Sequence, residues 1–207
     1  MITFSGVEGA GKSTQARWTA QWLSEHGVPA EAQAFVELGF STRVLRGLRR
    51  LRSRPAPHRR MAGPGPAAPG SGGSPGSPAA LRRRMTCLVD ILLFRLALQR
   101  AARRGVQAWV CDRYFYDALS RLTLREGLWM AWVRRIMPVP DLAFLLEVDP
   151  EIGARRRRTA EAGYHAARAR SFEQLGSLAP SWQRVRSEDP LATRQCLEGH
   201  LEKLVER

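Results

Sequence analysis

The chain has 207 residues, 44% of them hydrophobic, and a formal net charge of +14. That length fits one domain with a sizeable core, and the absence of any run of 18 apolar residues argues against a membrane-spanning helix. Met1 to Gly6 puts no basic stretch ahead of its short apolar run, so no secretory signal is expected and the chain reads as cytoplasmic.

Ile2-Thr3-Phe4 is a short β-prone run that ends at Gly6. Ser13 to about His26 has helical character, with Trp18, Trp22 and Leu23 spaced for one face and Gly27 and Pro29 closing it. Ala34-Phe35-Val36 reads as a second short strand, and residues 43–52 as a basic helix. Residues 53–80 are dominated by Pro, Gly, Ser and Ala, with Met61 the single large apolar residue. Such a segment buries too little apolar area to offset its ordering entropy, which predicts a disordered insertion within one domain spanning 1–207.

Helical periodicity resumes at Leu81 and runs to Arg104, with Leu88, Ile91, Leu92, Arg95, Leu96 and Gln99 in phase and Gly105 as the stop. Ala108 to Cys111 has strand length and leads into Asp112-Arg113-Tyr114. Helix is predicted again from Asp117 to Met137, and Pro138 to Asp141 is a loop. Leu142 to Val148 is the clearest strand, apolar enough for burial on both faces. Helix follows from Pro150, with breaks, to about Leu178; Arg184-Val185-Arg186 is a last strand and Leu191 to Val205 the closing helix. Alternating strands and helices predict an α/β domain of three α/β/α layers, with a parallel sheet of about five strands and helices on both faces. Cys87, Cys111 and Cys196 are too far apart for a metal pair or a disulfide framework, and the first two read as small buried hydrophobes.

The strongest signal is Gly6-Val7-Glu8-Gly9-Ala10-Gly11-Lys12-Ser13, a G-x-x-x-x-G-K-S loop between a strand and a helix. Its glycines let the backbone wrap a phosphate, so its amides form an anion nest at a helix N-terminus. Residues Gly6 through Thr14 are the candidate ATP-binding set. Lys12 is suited to the β- and γ-phosphates and Ser13 to Mg²⁺. Lysine usage sharpens this reading. Only Lys12 and Lys203 of the 33 basic residues are lysine, and one of the two falls where a compact ammonium is needed.

Ile2 to Gln15 (ITFSGVEGAGKSTQ) resembles the opening of the thymidylate kinases, which are P-loop nucleoside monophosphate kinases. Asp112-Arg113-Tyr114 is similar to that family's Asp-Arg-aromatic motif after a strand. Pro140-Asp141-Leu142 through Glu147-Val148 resembles its PDL-x-x-x-LDV pattern, with Glu147 in place of aspartate. Pro150-Glu151-Ile152-Gly153-Ala154-Arg155-Arg156 resembles its PEVGLxR entry to a lid. The resemblance covers most of residues 1–50 and 85–207. It implies an ATP- and Mg²⁺-dependent transfer of a phosphoryl group to dTMP or a related nucleotide, and homodimers formed through helices.

The family's roles carry over by position. Gly9 leaves the phosphate loop without an arginine, so Arg155 and Arg156, in the run 155–158, are the candidates to supply it from the lid. Asp112 is a candidate for Mg²⁺ or acceptor orientation, and Arg113 for the acceptor phosphate. Arg95 and Glu37 are further acceptor candidates. Tyr164 is a lid residue whose expected role is packing.

Two departures leave the acceptor open. The family's Arg-Glu-Pro-Gly stretch is here Val36-Glu37-Leu38-Gly39, and its usual serine is here Asp117. A carboxylate repels a monophosphate and suits a neutral hydroxyl, for which Asp117 would be a base. The alternatives are therefore a related kinase of another small hydroxyl compound and a nucleotide-binding module without transfer activity. The charge also raises a nucleic-acid partner, but no aromatic-basic RNA motif or recognition helix is present, and the arginine excess reads as compositional bias.

Overall fold

The computed structural model describes residues 1–34, 78–119, 127–157, 166, 169–172 and 182–206. In chain order the elements are β1 (Ile2–Gly6), α1 (Lys12–Glu25), β2 (Ala30–Ala34), α2 (Pro78–Arg103), β3 (Ala108–Asp112), α3 (Phe115–Leu119), α4 (Gly127–Ile136), β4 (Leu142–Glu147), α5 (Pro150–Arg157), β5 (Trp182–Arg186) and α6 (Pro190–Val205). The five strands form one parallel sheet in the order β2-β3-β1-β4-β5.

The strand composition explains the order. β1 is buried along its whole length and lies at the centre, between β3 and β4. Parallel strands covered by helices on both faces need this continuous apolarity. Ile2 and Phe4 face α1 and α6, packing with Ala16, Ala20, Leu23, Leu197 and Leu201. Cys111, Ala143 and Leu145 face the other way, against Cys87, Ile91 and Phe94 of α2, Phe115 and Leu119 of α3 and Val133 of α4. Helices thus cover both faces of the sheet, and the architecture is the expected three-layer α/β/α. No helix among the described residues is long and apolar enough to cross a membrane.

Three boundaries differ from the sequence reading. The second strand covers Ala30–Ala34, registered against Ala108–Asp112, and so starts four residues before the expected Ala34. The carbonyl of Pro29 accepts Gln107 N and Ala108 N and starts this pairing, so tertiary contact overrides the weak strand propensity of AEAQA. Phe35 and Val36 lie outside the described residues, as do 43–52 and 53–77. Helix α2 begins at Pro78, so residues 78–80 belong to it and not to the insertion; a proline's fixed φ suits a first helical turn. Of the helix predicted over 117–137, the described parts are α3, which already starts at Phe115, where the Asp117 carboxylate accepts Tyr114 N at 3.4 Å, and α4 from Gly127; residues 120–126 lie outside the described residues.

Asp189 caps α6 by accepting Leu191 N at 2.9 Å, with Pro190 in the first turn. Asp149 does the same for α5, accepting Glu151 N at 2.8 Å and Ile152 N at 3.3 Å. Both helices follow an Asp-Pro pair. The carboxyl ends of β1, β3 and β4 therefore open onto one edge, with the loop from β1 into α1 at its centre. Ligands of open parallel sheets bind at this edge.

Candidate active site

The loop 6–13 is held from below by its own apolar residues. Val7 and Ala10 are buried between α1 and the sheet, and Ala10 N donates to Val7 O. Gly11 sits at the N-cap of α1 with φ 78 and no side-chain cap, and the first turn carries no acidic residue. The helix therefore presents its N-terminal amides and positive dipole end uncapped by a side chain. Gly9 has φ 85, and a Cβ there would lie 2.6 Å from Gly153 O, so only glycine fits against α5.

Lys12 is turned back into this loop. Its Nζ donates to Gly6 O at 2.9 Å and Val7 O at 2.6 Å, and the residue is 5% exposed. Burial lowers its pKa from 10.5 to about 8. Asp117, Asp112 and Glu8 oppose that shift, and Arg113 adds to it. Four charged groups singled out in the sequence, or lying in the phosphate loop, thus converge on one ammonium. Ser13 and Thr14 are exposed at the mouth of the loop.

Asp112 ends β3 opposite Phe4 of β1. Its Oδ1 is buried and has no hydrogen-bond partner among the described atoms. Arg113 follows in a left-handed conformation, φ 74, costly for a residue with a side chain, and its amide donates to Phe4 O at 3.0 Å. The turn throws its guanidinium over the phosphate loop, with Nη2 3.8 Å from Glu8 Oε1 and Nη1 3.6 Å from Asp117 Oδ1. Asp117 is buried at 1% exposure. Beneath them Tyr114, Phe115 and Tyr116 form an edge-to-face aromatic cluster, and burial pushes the Tyr114 hydroxyl far above its ordinary pKa. That hydroxyl donates to Pro138 O.

The chain is 25% identical to a thymidylate kinase of Symbiobacterium thermophilum, over 84% of this chain and 74% of that protein. It is 29% identical to one of Ruegeria pomeroyi, over 76% and 67%, and 26% identical to a probable thymidylate kinase of Methanothermobacter thermautotrophicus, over 75% and 68%. No model of a known family matches the chain. The chain is thus similar to thymidylate kinases over most of its length.

The remaining candidates separate. Arg155 lies exposed on α5. Arg156, also exposed, has its guanidinium held by backbone carbonyls. Its Nη1 donates to Gly9 O at 3.3 Å and Ser187 O at 3.1 Å, and its Nη2 to Glu188 O at 2.6 Å. Arg95 is not among the charges acting on Lys12; its Nη1 donates to Ile136 O at 2.9 Å, joining α2 to the end of α4. Glu37, Arg158 and Tyr164 lie outside the described residues.

Two participants were missed in the sequence. Gly153 stood in the lid-entry motif without a role, and its backbone is what Gly9 touches. Ser187, which accepts from Arg156, follows the last strand with no local signal of its own. Its partners are distant in sequence, so only the register of β4 and β5 reveals it.

Proposed function

We propose that the chain is an ATP-dependent nucleoside monophosphate kinase that transfers the γ-phosphoryl group of ATP to dTMP or a related nucleoside monophosphate. The observation that carries this reading is the convergence of Glu8, Asp112, Arg113 and Asp117 on the buried Lys12 ammonium, at the mouth of the phosphate loop. The relatives named thymidylate kinase point the same way.

In this reading the amides of residues 9–14 and the Lys12 ammonium hold the β- and γ-phosphates. Lys12 leaves the carbonyls of Gly6 and Val7 for them. Ser13 and Asp112 are the residues that would hold Mg²⁺. The buried, unpartnered Oδ1 of Asp112 fits a cation, and Mg²⁺ needs only one or two protein ligands beside substrate phosphates. Bound there, Mg²⁺ neutralises charge developing on the transferred group. Arg113 presents its guanidinium to the acceptor phosphate, and Arg155 is the lid arginine for the γ-phosphate. An acceptor phosphate oxygen attacks the γ-phosphorus, the bond to the β-bridging oxygen breaks, and ADP leaves. A phosphate monoester is largely dianionic at neutral pH, with its second pKa near ~6, so the attack needs no general base.

A second reading has one observation in its favour: Arg113 already faces two carboxylates, Glu8 and Asp117. A neutral hydroxyl acceptor would tolerate that pairing better than an anion, and an aspartate could take its proton. A coupled assay of ADP production over dTMP, dUMP, other monophosphates, nucleosides and sugars separates the two. Turnover with dTMP is the expected result. Turnover only with a neutral hydroxyl compound would replace this reading with the second, and ATP binding without turnover on any acceptor would leave a binding module.

The chain is also proposed to act as a homodimer. Leu81, Met85, Val89, Leu92 and Leu96 recur along α2 at helical spacing, and all five are exposed. An apolar stripe of this length on a water-soluble surface favours a covering partner, and a two-fold interface lets the same stripe cover itself.

A further inference from the structure

We propose that Arg156 is a positioning residue that fixes the phosphate loop from outside, and not a lid arginine that meets phosphate. The inference rests on the reading that this loop takes ATP.

Its geometry is that of a latch. The guanidinium hydrogen-bonds three backbone carbonyls on two separate segments, Gly9 O at 3.3 Å, Ser187 O at 3.1 Å and Glu188 O at 2.6 Å. Ser187 is in turn fixed to the end of β4, where Glu147 O accepts its amide at 2.8 Å and its hydroxyl at 2.9 Å. A continuous chain of bonds therefore runs from the sheet at Glu147 through Ser187 and Arg156 to the apex of the phosphate loop. On the same side the loop backbone at Gly9 is packed directly on Gly153 of α5.

The chemistry of the loop gives this latch a purpose. An anion nest works only while its amides point inward and its carbonyls outward. Gly9, at φ 85, has no Cβ to resist rotation of its peptide. A rotation that turned the Gly9 carbonyl inward would set an oxygen against the phosphate. Holding that oxygen on a fixed cation prevents it, and a planar fork with several donors reaches three carbonyls where a single ammonium does not. The Arg156 guanidinium is thereby already committed to backbone carbonyls, while its neighbour Arg155 points about 100° round the helix.

The test combines calorimetric titration of Mg·ADP and Mg·ATP with steady-state kinetics on dTMP, for the full chain and for Arg156→Ala and Arg156→Lys. Arg156→Ala should weaken ADP binding and raise the ATP KM about tenfold, with kcat within about threefold and the dTMP KM unchanged. Arg156→Lys should not restore ADP affinity. A kcat that falls about 100-fold with ADP affinity intact would mean that the arginine meets the transferred phosphoryl group, and would overturn the inference. Unchanged ADP binding in Arg156→Ala would also overturn it while leaving the kinase reading in place. Absence of ADP and ATP binding in the unaltered chain would sink both. If Arg156→Ala does not fold, Ser187→Ala removes only the hydroxyl bond to Glu147. It should raise the ATP KM in the same direction by a smaller factor, and an unchanged KM there counts against the latch.

Discussion

Arg113 Nη1 lies 3.6 Å from Asp117 Oδ1, and the carboxylate it faces is 1% exposed. A buried charge of this kind persists only when it is paired and hydrogen-bonded, and Asp117 also receives the Tyr114 amide. Replacing it by asparagine keeps the shape but leaves Arg113 with one carboxylate fewer. Asp117→Asn should therefore lose about 3 kcal/mol of stability in urea unfolding, the low end for breaking a buried pair because Arg113 keeps some contact with water. It should also lower the KM for dTMP, because the guanidinium gains an edge for phosphate. A variant as stable as the parent, with dTMP kinetics unmoved, would show that the pair matters to neither.

Burial of Lys12 makes a prediction with a definite sign. Its folded pKa is about 8 against 10.5 unfolded, so between these values the unfolded chain binds more protons. Stability of the nucleotide-free protein should then rise as pH increases from about 8 to 10.5, and below that window the buried ammonium costs on the order of 3 kcal/mol. Lys12→Met should raise the melting temperature of the nucleotide-free protein at pH 7 while abolishing ATP binding, a trade of stability for function. ATP affinity of the parent should fall above pH about 8, where the lysine loses the proton that phosphate requires. Calorimetry across pH 7 to 10 reads both trends, and a flat stability profile would show that the burial penalty is absent.

The glycines of the chain separate by what surrounds them. Gly9 and Gly27 share the left-handed region, φ 85 and 80, but a Cβ at Gly9 would meet Gly153 O at 2.6 Å and one at Gly27 meets nothing within 4 Å. Gly27→Ala should cost only the conformational penalty, about 1 kcal/mol, and leave ATP binding unchanged. Gly9→Ala should cost at least about twice that and reduce ATP affinity strongly, since either the loop or α5 must move. Equal losses of affinity in the two variants would mean that the contact with α5 does not govern the loop.

What the sequence made legible was local. The phosphate loop is contiguous, and its glycines, lysine and flanking strand and helix all lie within residues 2–25. The apolar runs at 108–111 and 142–148 likewise showed which strands are buried. Features set by distant partners were not legible. β2 has the composition of a solvated segment and is a strand only because β3 pairs with it. In the run Arg155 to Arg158 the lid-entry pattern marks Arg156 as a phosphate candidate but not its backbone partners, which lie 147, 31 and 32 residues away. Asp117 read as a carboxylate facing the acceptor, and its ion pair with Arg113, made by the unusual turn there, had no signal in the sequence.

The stripe on α2 leads to the last expectation. Leu92 is 59% exposed and Leu96 39%, although both lie in a helix whose opposite face supplies Cys87, Ile91 and Phe94 to the core. Two helices that laid this stripe together would bury apolar area at about 25 cal/mol per Å², and the two-fold symmetry would double each substitution's effect. Light scattering after gel filtration at tens of micromolar should therefore give twice the chain mass for the parent. Leu92→Glu combined with Leu96→Glu should give the single mass, because two carboxylates from each chain would then meet in the contact. Neither position touches the buried core, so the monomer should keep its far-UV circular dichroism and its ATP affinity. A parent that runs as a monomer would remove the dimer, and a double variant that remains dimeric would move the interface to another face.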